Sequence, residues 1–139
     1  ERATYYSKKL NCGLAYCYKH RDKPNEIGEM RLIGCVKDKT CLLVDDMIDS
    51  AGTLCKSAFL LKENGANYIN AYTTHGVFSG EAIDRLNDSP ISKVYVTDTI
   101  PLSTEVLRNN KFHVIGIGEL IARAITNIHS NNSVSKLFI

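Results

Sequence analysis

Three aspartates surround a turn of small residues near the middle of the chain. Asp45 and Asp46 follow the apolar run 41–44, and Asp49 stands at the start of the turn 50–52. Small residues let backbone N–H groups come close to a phosphate. Carboxylates repel phosphate, but they accept hydrogen bonds from sugar hydroxyls and bind Mg2+. A ligand that is anionic at one end and hydroxylated at the other is a sugar phosphate, so these residues predict a sugar phosphate site.

A strand, a tight loop and a helix are expected to position these groups. The run 41–44 is typical of a buried strand, and residues 53–64 are typical of a helix with Leu54, Ala58 and Leu61 on one face. A helix that starts at the carboxyl end of a strand presents its free amides as an anion site. In the simpler alternative, the aspartates only close the strand and cap the helix. Three acids around one turn favour the ligand site.

Length and composition limit the function classes. The chain has 139 residues, of which 44% are hydrophobic and 23% charged, with a net charge of +2. These values predict one domain over residues 1–139, without a nucleic-acid or membrane partner. Five cysteines without a CxxC pair indicate free thiols in a reducing, cytoplasmic setting. Because the first residues are already helix-like, the chain is expected to be part of a longer protein.

Apolar runs alternate with helical segments along the whole chain. This alternation predicts an α/β fold with a mainly parallel open sheet flanked by helices. We expect strands at 14–18, 29–34, 41–44, 68–73, 94–97 and 112–116. Helices are expected at 2–10, 53–64, 80–86 and 119–129, with a helical turn at 104–107 and a helix cap at Ser79. The carboxyl ends of parallel strands share one edge, so this edge should gather Lys19–Arg21, Asp45, Asp46, His75 and Asp98.

The segment 44–53, Val-Asp-Asp-Met-Ile-Asp-Ser-Ala-Gly-Thr, resembles the phosphoribosyl pyrophosphate (PRPP) loop of the phosphoribosyltransferase superfamily. Segments 19–21, 74–80, 97–101 and 133–138 also resemble ribose-phosphate pyrophosphokinase, in the order of that family. The resemblance implies a type I phosphoribosyltransferase-like fold and the C-terminal domain of a two-domain enzyme. Two positions depart from the family pattern, since His20 replaces the middle arginine of Lys-Arg-Arg and Ser50 replaces a threonine.

By resemblance, the enzyme transfers pyrophosphate from ATP to ribose 5-phosphate, giving PRPP and AMP. Lys19 and Arg21 would be catalytic, with Arg21 also near the sugar phosphate. The ribose 5-phosphate site would consist of Asp45, Asp46, Asp49, Ser50, Ala51, Gly52 and Thr53. Mg2+ would be the cofactor, with Asp45 and Asp46 as its ligands. His75 is expected to be structural, and the sequence leaves Asp98 undecided.

The resemblance also implies regulation and assembly. Ser133, Val134, Ser135 and Phe138 correspond to a regulatory phosphate or ADP site between subunits, and the family suggests a homo-oligomer, a hexamer. Two other functions stay open at this point. One is a nucleobase phosphoribosyltransferase, which consumes PRPP but lacks a Lys-x-Arg loop. The other is a non-catalytic regulatory homologue, which tends to lose the acidic pair and the Gly-Thr that this chain retains.

Overall fold

The computed structural model describes residues 2–20 and 29–138. Strands and helices alternate from residue 40 to residue 129, as the sequence predicts, whereas three strands follow one another between residues 16 and 48. The elements are α1 (Arg2–Leu10), β1 (Tyr16–His20), β2 (Glu29–Ile33), β3 (Thr40–Ile48), α2 (Gly52–Glu63), β4 (Tyr68–Gly76), α3 (Ala82–Asp88), β5 (Lys93–Thr97), α4 (Thr104–Arg108), β6 (Phe112–Ile115), α5 (Gly118–His129) and a 3-10 helix (Val134–Leu137).

The central sheet has four strands in the order β3-β4-β5-β6, and all neighbouring strands in it are parallel. In its inner strands β4 and β5, buried side chains mostly alternate with exposed or half-buried ones, so one face of the sheet packs into the core more tightly than the other. The core is formed by side chains of α2 and the inner strands, including Ala58, Leu61, Ile69, Ala71 and Val94. The predicted α/β fold with a mainly parallel sheet is therefore confirmed. None of the helices in the described ranges combines the length and hydropathy needed to cross a bilayer.

The first strand does not join this sheet. β1 pairs antiparallel with β2, and the two form a separate two-stranded sheet. The prediction of a buried strand at 14–18 is wrong, since Tyr16 and Tyr18 are 46% and 39% exposed. Tyrosine can leave an edge of its ring in water and use its hydroxyl there. The Tyr16 hydroxyl lies 3.1 Å from the Thr4 hydroxyl. The end of β1 is therefore not the carboxyl end of a strand in the parallel sheet.

The strand before the aspartates is longer and less buried than predicted. β3 continues through Asp45 and Asp46, and its last residue Ile48 pairs with Gly76 of β4. Its side chains are mostly exposed or half-buried because β3 lies at an edge of the sheet. Ladder hydrogen bonds join backbone groups, so acidic side chains do not end the strand. The predicted buried strand at 41–44 is corrected to a half-exposed edge strand.

Later elements differ from the predictions mainly at their ends. β4 includes His75, which the sequence places in a loop, and the His75 Nδ1 lies 2.9 Å from the Thr99 hydroxyl. This contact is consistent with the expected structural role of His75. Asp98 accepts a hydrogen bond from the Ile117 amide at 2.9 Å, so it fixes the turn before α5.

Gly76 lies at the end of β4 against two core side chains. A β-carbon at this position would lie 2.7 Å from Val96 Cγ2 and closer still to the Phe78 ring. Gly76→Ala is expected to lower the free energy of unfolding by about 1–3 kcal/mol through overpacking. Denaturant unfolding would measure the loss. Gly118→Ala is the control, because a β-carbon there meets no atom within 4 Å. Equal stability of the two variants would contradict the packing around Gly76.

Candidate functional site

The loop between β3 and α2 contains the predicted phosphate site. α2 starts at Gly52, and the side chain of its N-cap residue Ala51 makes no capping hydrogen bond. The first helical hydrogen bond at this end runs from the Cys55 amide to the Ala51 carbonyl, at 2.9 Å. Within residues 2–20 and 29–138, no acceptor bonds to the amides of residues 52–54. These amides therefore indicate a binding site for an anion. The positive end of the helix dipole also favours an anion there.

Ala51 has a left-handed backbone, with φ 60° and ψ 0°. This conformation costs a residue with a β-carbon roughly 1–2 kcal/mol. The loop is held at the two residues that precede Ala51. The Ser79 hydroxyl donates to the Asp49 carboxylate, and the Arg85 guanidinium donates to the Ser50 carbonyl at 3.0 Å. Ala51 as a whole is only 6% exposed. The strained loop is thus prearranged by contacts with other elements.

These contacts decide between two uses of Asp49. The simpler alternative makes Asp49 the cap of α2, but its carboxylate instead accepts from Ser79, 30 residues later. The prediction that Ser79 caps a helix is wrong, because its hydroxyl makes this contact instead. The Ser79 hydroxyl faces Asp49, and α3 starts at Ala82 without a side-chain cap.

A shallow cavity of about 190 Å3 lies over the loop. It is small beside the roughly 300–1,000 Å3 of a complete small-molecule site, so it fits one group of a ligand. The cavity is lined by Asp45, Met47, Ile48, Asp49, Ser50, Ala51, Gly52, Thr53 and Leu54. The structure thus brings Asp45 together with all five predicted loop residues.

Asp45 and Asp46 both face outward from β3. Their side chains are 54% and 51% exposed, and both contact Arg2 at the start of α1. Arg2 lies 3.5 Å from Asp45 Oδ1 and 2.7 Å from Asp46 Oδ2. The Asp46 amide also donates to Asp45 Oδ1, at 2.9 Å. One oxygen of each carboxylate is thereby held, and the other can accept a hydrogen bond from a ligand.

The two carboxyls differ in acidity. Burial raises the pKa of Asp45, and the neighbouring Asp46 carboxylate adds to the rise while Arg2 opposes it. The pKa of Asp46 is lowered, first by the hydrogen bond from Asp45 and then by its own backbone amide and Arg2. Asp46 is therefore the carboxylate that holds its negative charge at lower pH.

The same pair is the candidate for Mg2+. No group of three or more His, Cys, Asp or Glu residues in the described part of the chain could hold a metal by itself. Mg2+ is commonly bound through one or two carboxylates, with waters and substrate oxygens completing six ligands. The exposed oxygens of Asp45 and Asp46 fit that chemistry, provided that a ligand supplies further oxygens.

The two predicted cations lie at the limit of the described chain. The backbone of Lys19 belongs to β1 and pairs with Met30. The Lys19 side chain and all of Arg21 lie outside the described residues. The structure therefore leaves their predicted catalytic roles untested.

The predicted regulatory residues lie in the C-terminal tail. Ser133 precedes the 3-10 helix, which contains Val134 and Ser135. Phe138 is 77% exposed. These residues share one short surface segment, remote in sequence from the loop after β3.

Sequence reasoning missed two arginines of this site. Arg2 and Arg85 reach the acidic pair and the loop from α1 and α3, across separations of at least 35 residues. The sequence indicates one contact of Arg85 through its spacing from Glu81. This i,i+4 spacing predicts an ion pair within one helix. No sequence pattern indicated the contact between Arg85 and Ser50.

Similar proteins share the sequence and the fold. A ribose-phosphate pyrophosphokinase of Nitrosomonas europaea is 43% identical over 138 residues, which are 99% of this chain and 44% of that protein. One from Caldanaerobacter subterraneus is 50% identical over 137 residues, 99% of this chain and 43% of that protein. The crystal structure of phosphoribosylpyrophosphate synthetase from Mycobacterium smegmatis matches with a TM-score of 0.82 at 34% identity. It covers 94% of this chain and 43% of that chain.

The chain thus spans less than half the length of these relatives. The model of the phosphoribosyl synthetase-associated domain matches residues 15–139. This match includes the loop, the acidic pair and the tail, and it confirms the resemblance on which the predicted site rests. The chain belongs to the phosphoribosyl synthetase-associated domain family.

Proposed function

We propose that this chain forms the ribose 5-phosphate half of a ribose-phosphate diphosphokinase, which makes PRPP and AMP from ATP and ribose 5-phosphate. One observation carries the proposal: the start of α2, whose first amides bond to no acceptor in the described chain, lines one cavity together with the exposed Asp45. Asp46, the next residue of β3, does not line that cavity. This arrangement offers donors to a phosphate and acceptors to sugar hydroxyls. The names of the similar proteins support the same reaction.

In this proposal the loop residues 49–53 hold the 5-phosphate through amides and hydroxyls. Asp45 and Asp46 accept hydrogen bonds from the 2- and 3-hydroxyls of ribose. Arg2 offsets part of their charge, so that the anionic phosphate is less strongly repelled. The sugar is then fixed at both ends, which leaves its anomeric hydroxyl free to attack the β-phosphorus of ATP.

Lys19 and Arg21 are proposed to stabilise the negative charge on the transferred group. Phosphoryl-type transfer is catalysed mainly by positioning and charge neutralisation. A guanidinium can contact two phosphate oxygens, and an ammonium supplies a compact charge. Mg2+ bound by Asp45 and Asp46 would supply further positive charge beside the ligand's oxygens.

Residues 1–139 are proposed to be one domain, the C-terminal one of the longer enzyme. The relatives are more than twice as long as this chain, so ATP-binding residues are expected in the remainder. The isolated chain is therefore expected to bind ribose 5-phosphate without making PRPP.

The tail and α5 are proposed to lie at contacts between subunits. Ile125 and Ile128 of α5 are 62% and 66% exposed, and Phe138 is more exposed still. Apolar surface of this kind is typical of an interface. Ser133, Val134, Ser135 and Phe138 would form a regulatory phosphate or ADP site there, in a homo-oligomer with six copies.

The function is tested with the longer protein. AMP formation from ATP and ribose 5-phosphate is measured at several Mg2+ concentrations, with inorganic phosphate varied. The proposal expects AMP and PRPP in equal amounts and dependence on Mg2+. Formation of ADP, or PRPP consumption only when a nucleobase is added, would overturn it. If the activity does not respond to inorganic phosphate, the proposed regulatory site is wrong, but the proposed reaction is not affected.

Gly52 offers a local test of the phosphate site. A β-carbon there would have only the Ser50 hydroxyl within 4 Å, at 3.9 Å, so the fold should accept a side chain. Gly52→Val places an isopropyl group beside the unpaired amides and should weaken ribose 5-phosphate binding by about tenfold or more, since at least ~1.4 kcal/mol of interaction is lost. Calorimetric titration measures the affinity.

Gly118→Val is the matched control for Gly52→Val. Gly118 is likewise the first residue of a helix, and no atom lies within 4 Å of its added β-carbon. Affinity equal to the unaltered protein is expected for the control. If Gly52→Val also binds normally, the phosphate does not lie at the start of α2.

A further inference from the structure

Arg85 lies outside the loop residues assigned to ribose 5-phosphate, yet it contacts the loop directly. Its Nη1 donates to the Ser50 carbonyl at 3.0 Å, and its Nη2 lies 3.0 Å from Glu81 Oε2. Glu81 thus fixes the plane of the guanidinium while the other nitrogen holds the loop. The Cys55 thiol lies 3.4 Å from the Arg85 carbonyl, so the first turn of α2 also contacts α3.

The residue after Ser50 is the strained one. Ala51 has a φ of 60°, a region that residues with a β-carbon rarely adopt. The Ser50 carbonyl belongs to the peptide unit that ends at the Ala51 nitrogen. A donor on this carbonyl restricts the rotation of that peptide unit. Release of the carbonyl would let Ala51 relax, and relaxation would turn the amides of residues 52–54 away from a phosphate.

We propose that Arg85 is a positioning residue that holds the strained phosphate loop in its binding conformation. This inference rests on the proposed function, because the loop must bind the sugar phosphate for its shape to matter. Arg85 acts through Ser50 and Ala51, and it takes no part in the transfer itself. Its loss should therefore weaken binding and leave turnover at saturating substrate nearly unchanged.

The test uses Arg85→Met in the longer protein. The KM for ribose 5-phosphate should rise about five- to tenfold, with kcat within a factor of two. Arg85→Lys should recover part of the loss, because an ammonium can still donate to the Ser50 carbonyl. Arg123→Met is the control, since Arg123 pairs with Glu119 at the same i,i+4 spacing on α5.

A second substitution separates loop strain from a simple charge effect. Ala51→Gly removes the β-carbon, so the left-handed conformation is no longer strained. In the Ala51→Gly background, Arg85→Met should raise the KM less than twofold. An equal rise in both backgrounds would show that Arg85 acts through its charge, and the proposal would be wrong.

The two proposals fail in different ways. If the unaltered protein neither binds ribose 5-phosphate nor forms PRPP, the proposed function fails. If the unaltered protein is active and Arg85→Met has the same KM, only the role of Arg85 fails. Should Arg85→Met unfold, Glu81→Gln provides the second measurement, because it releases the guanidinium without removing it. Glu81→Gln should then raise the KM about two- to threefold, and an unchanged KM would overturn the proposal.

Discussion

Asp45→Ala is expected to weaken the binding of ribose 5-phosphate to the longer protein by about 10–150-fold or more. Asp45 lines the cavity above the loop, and its outward carboxylate has one oxygen that Arg2 does not contact. A hydrogen bond to a charged group contributes about 1.5–3 kcal/mol, so its loss alone weakens binding by roughly 10–150-fold. The loss of a Mg2+ ligand would add to this. Calorimetric titration with ribose 5-phosphate measures the affinity.

The effect should be selective for the sugar. In the proposed site inorganic phosphate would contact only the amides and hydroxyls of the loop, so Asp45→Ala should bind it at least as well as the unaltered protein. Removal of a negative charge beside an anion even favours its binding. Asp84→Ala is the control, because Asp84 is an exposed carboxylate in the first turn of α3. Unchanged affinity of Asp45→Ala for ribose 5-phosphate would exclude its contact with the hydroxyls.

The grouping of the candidate site residues could be predicted from sequence because they are adjacent in the chain. Residues 45–53 supply three carboxylates, a turn of small residues and a helix start within one short segment. The order of these residues along the chain places the amides of the helix start close to the acids, independently of the rest of the fold. The observed cavity contains Asp45 and all five loop residues for this reason.

Two strand predictions were wrong because they depend on contacts between distant parts of the chain. The run around Tyr16 has the composition of a buried strand, but its tyrosines are partly exposed and it pairs with β2. Burial depends on which strands become neighbours, and a side-chain pattern does not encode the neighbour. The strand predicted at 41–44 extends to Ile48 in β3 for a related reason. Asp45 pairs with Thr73 in the ladder, and that pairing uses only backbone groups.

The arginine contacts could not be predicted because they join distant segments. Arg2 meets Asp46 across 44 residues, and Arg85 meets Ser50 across 35. Each contact depends on how a helix packs against the sheet. An arginine in an amphipathic helix is usually a solvated charge, and only the packed structure shows which one reaches a carbonyl.

Lys19→Ala is expected to lower kcat by about 10²–10³-fold, or roughly 3–4 kcal/mol in the barrier, the scale for one lost electrostatic contact to the transition state. The KM for ribose 5-phosphate should change little, because the proposed function assigns the binding of the sugar to the loop and the acidic pair. An interaction made only in the transition state lowers kcat and kcat/KM together. Steady-state kinetics of AMP formation in the longer protein separates the two constants.

Two substitutions sharpen the test of Lys19. Lys8→Ala removes an exposed lysine from the last turn of α1 and should leave both constants unchanged. Lys19→Arg keeps the positive charge but replaces a compact ammonium with a planar guanidinium, so it should recover only part of the rate. If Lys19→Ala raises the KM and spares kcat, Lys19 binds the ground state of the substrate. Developing charge on the transferred pyrophosphoryl group would then have to be stabilised by Arg21 or by the bound metal ion.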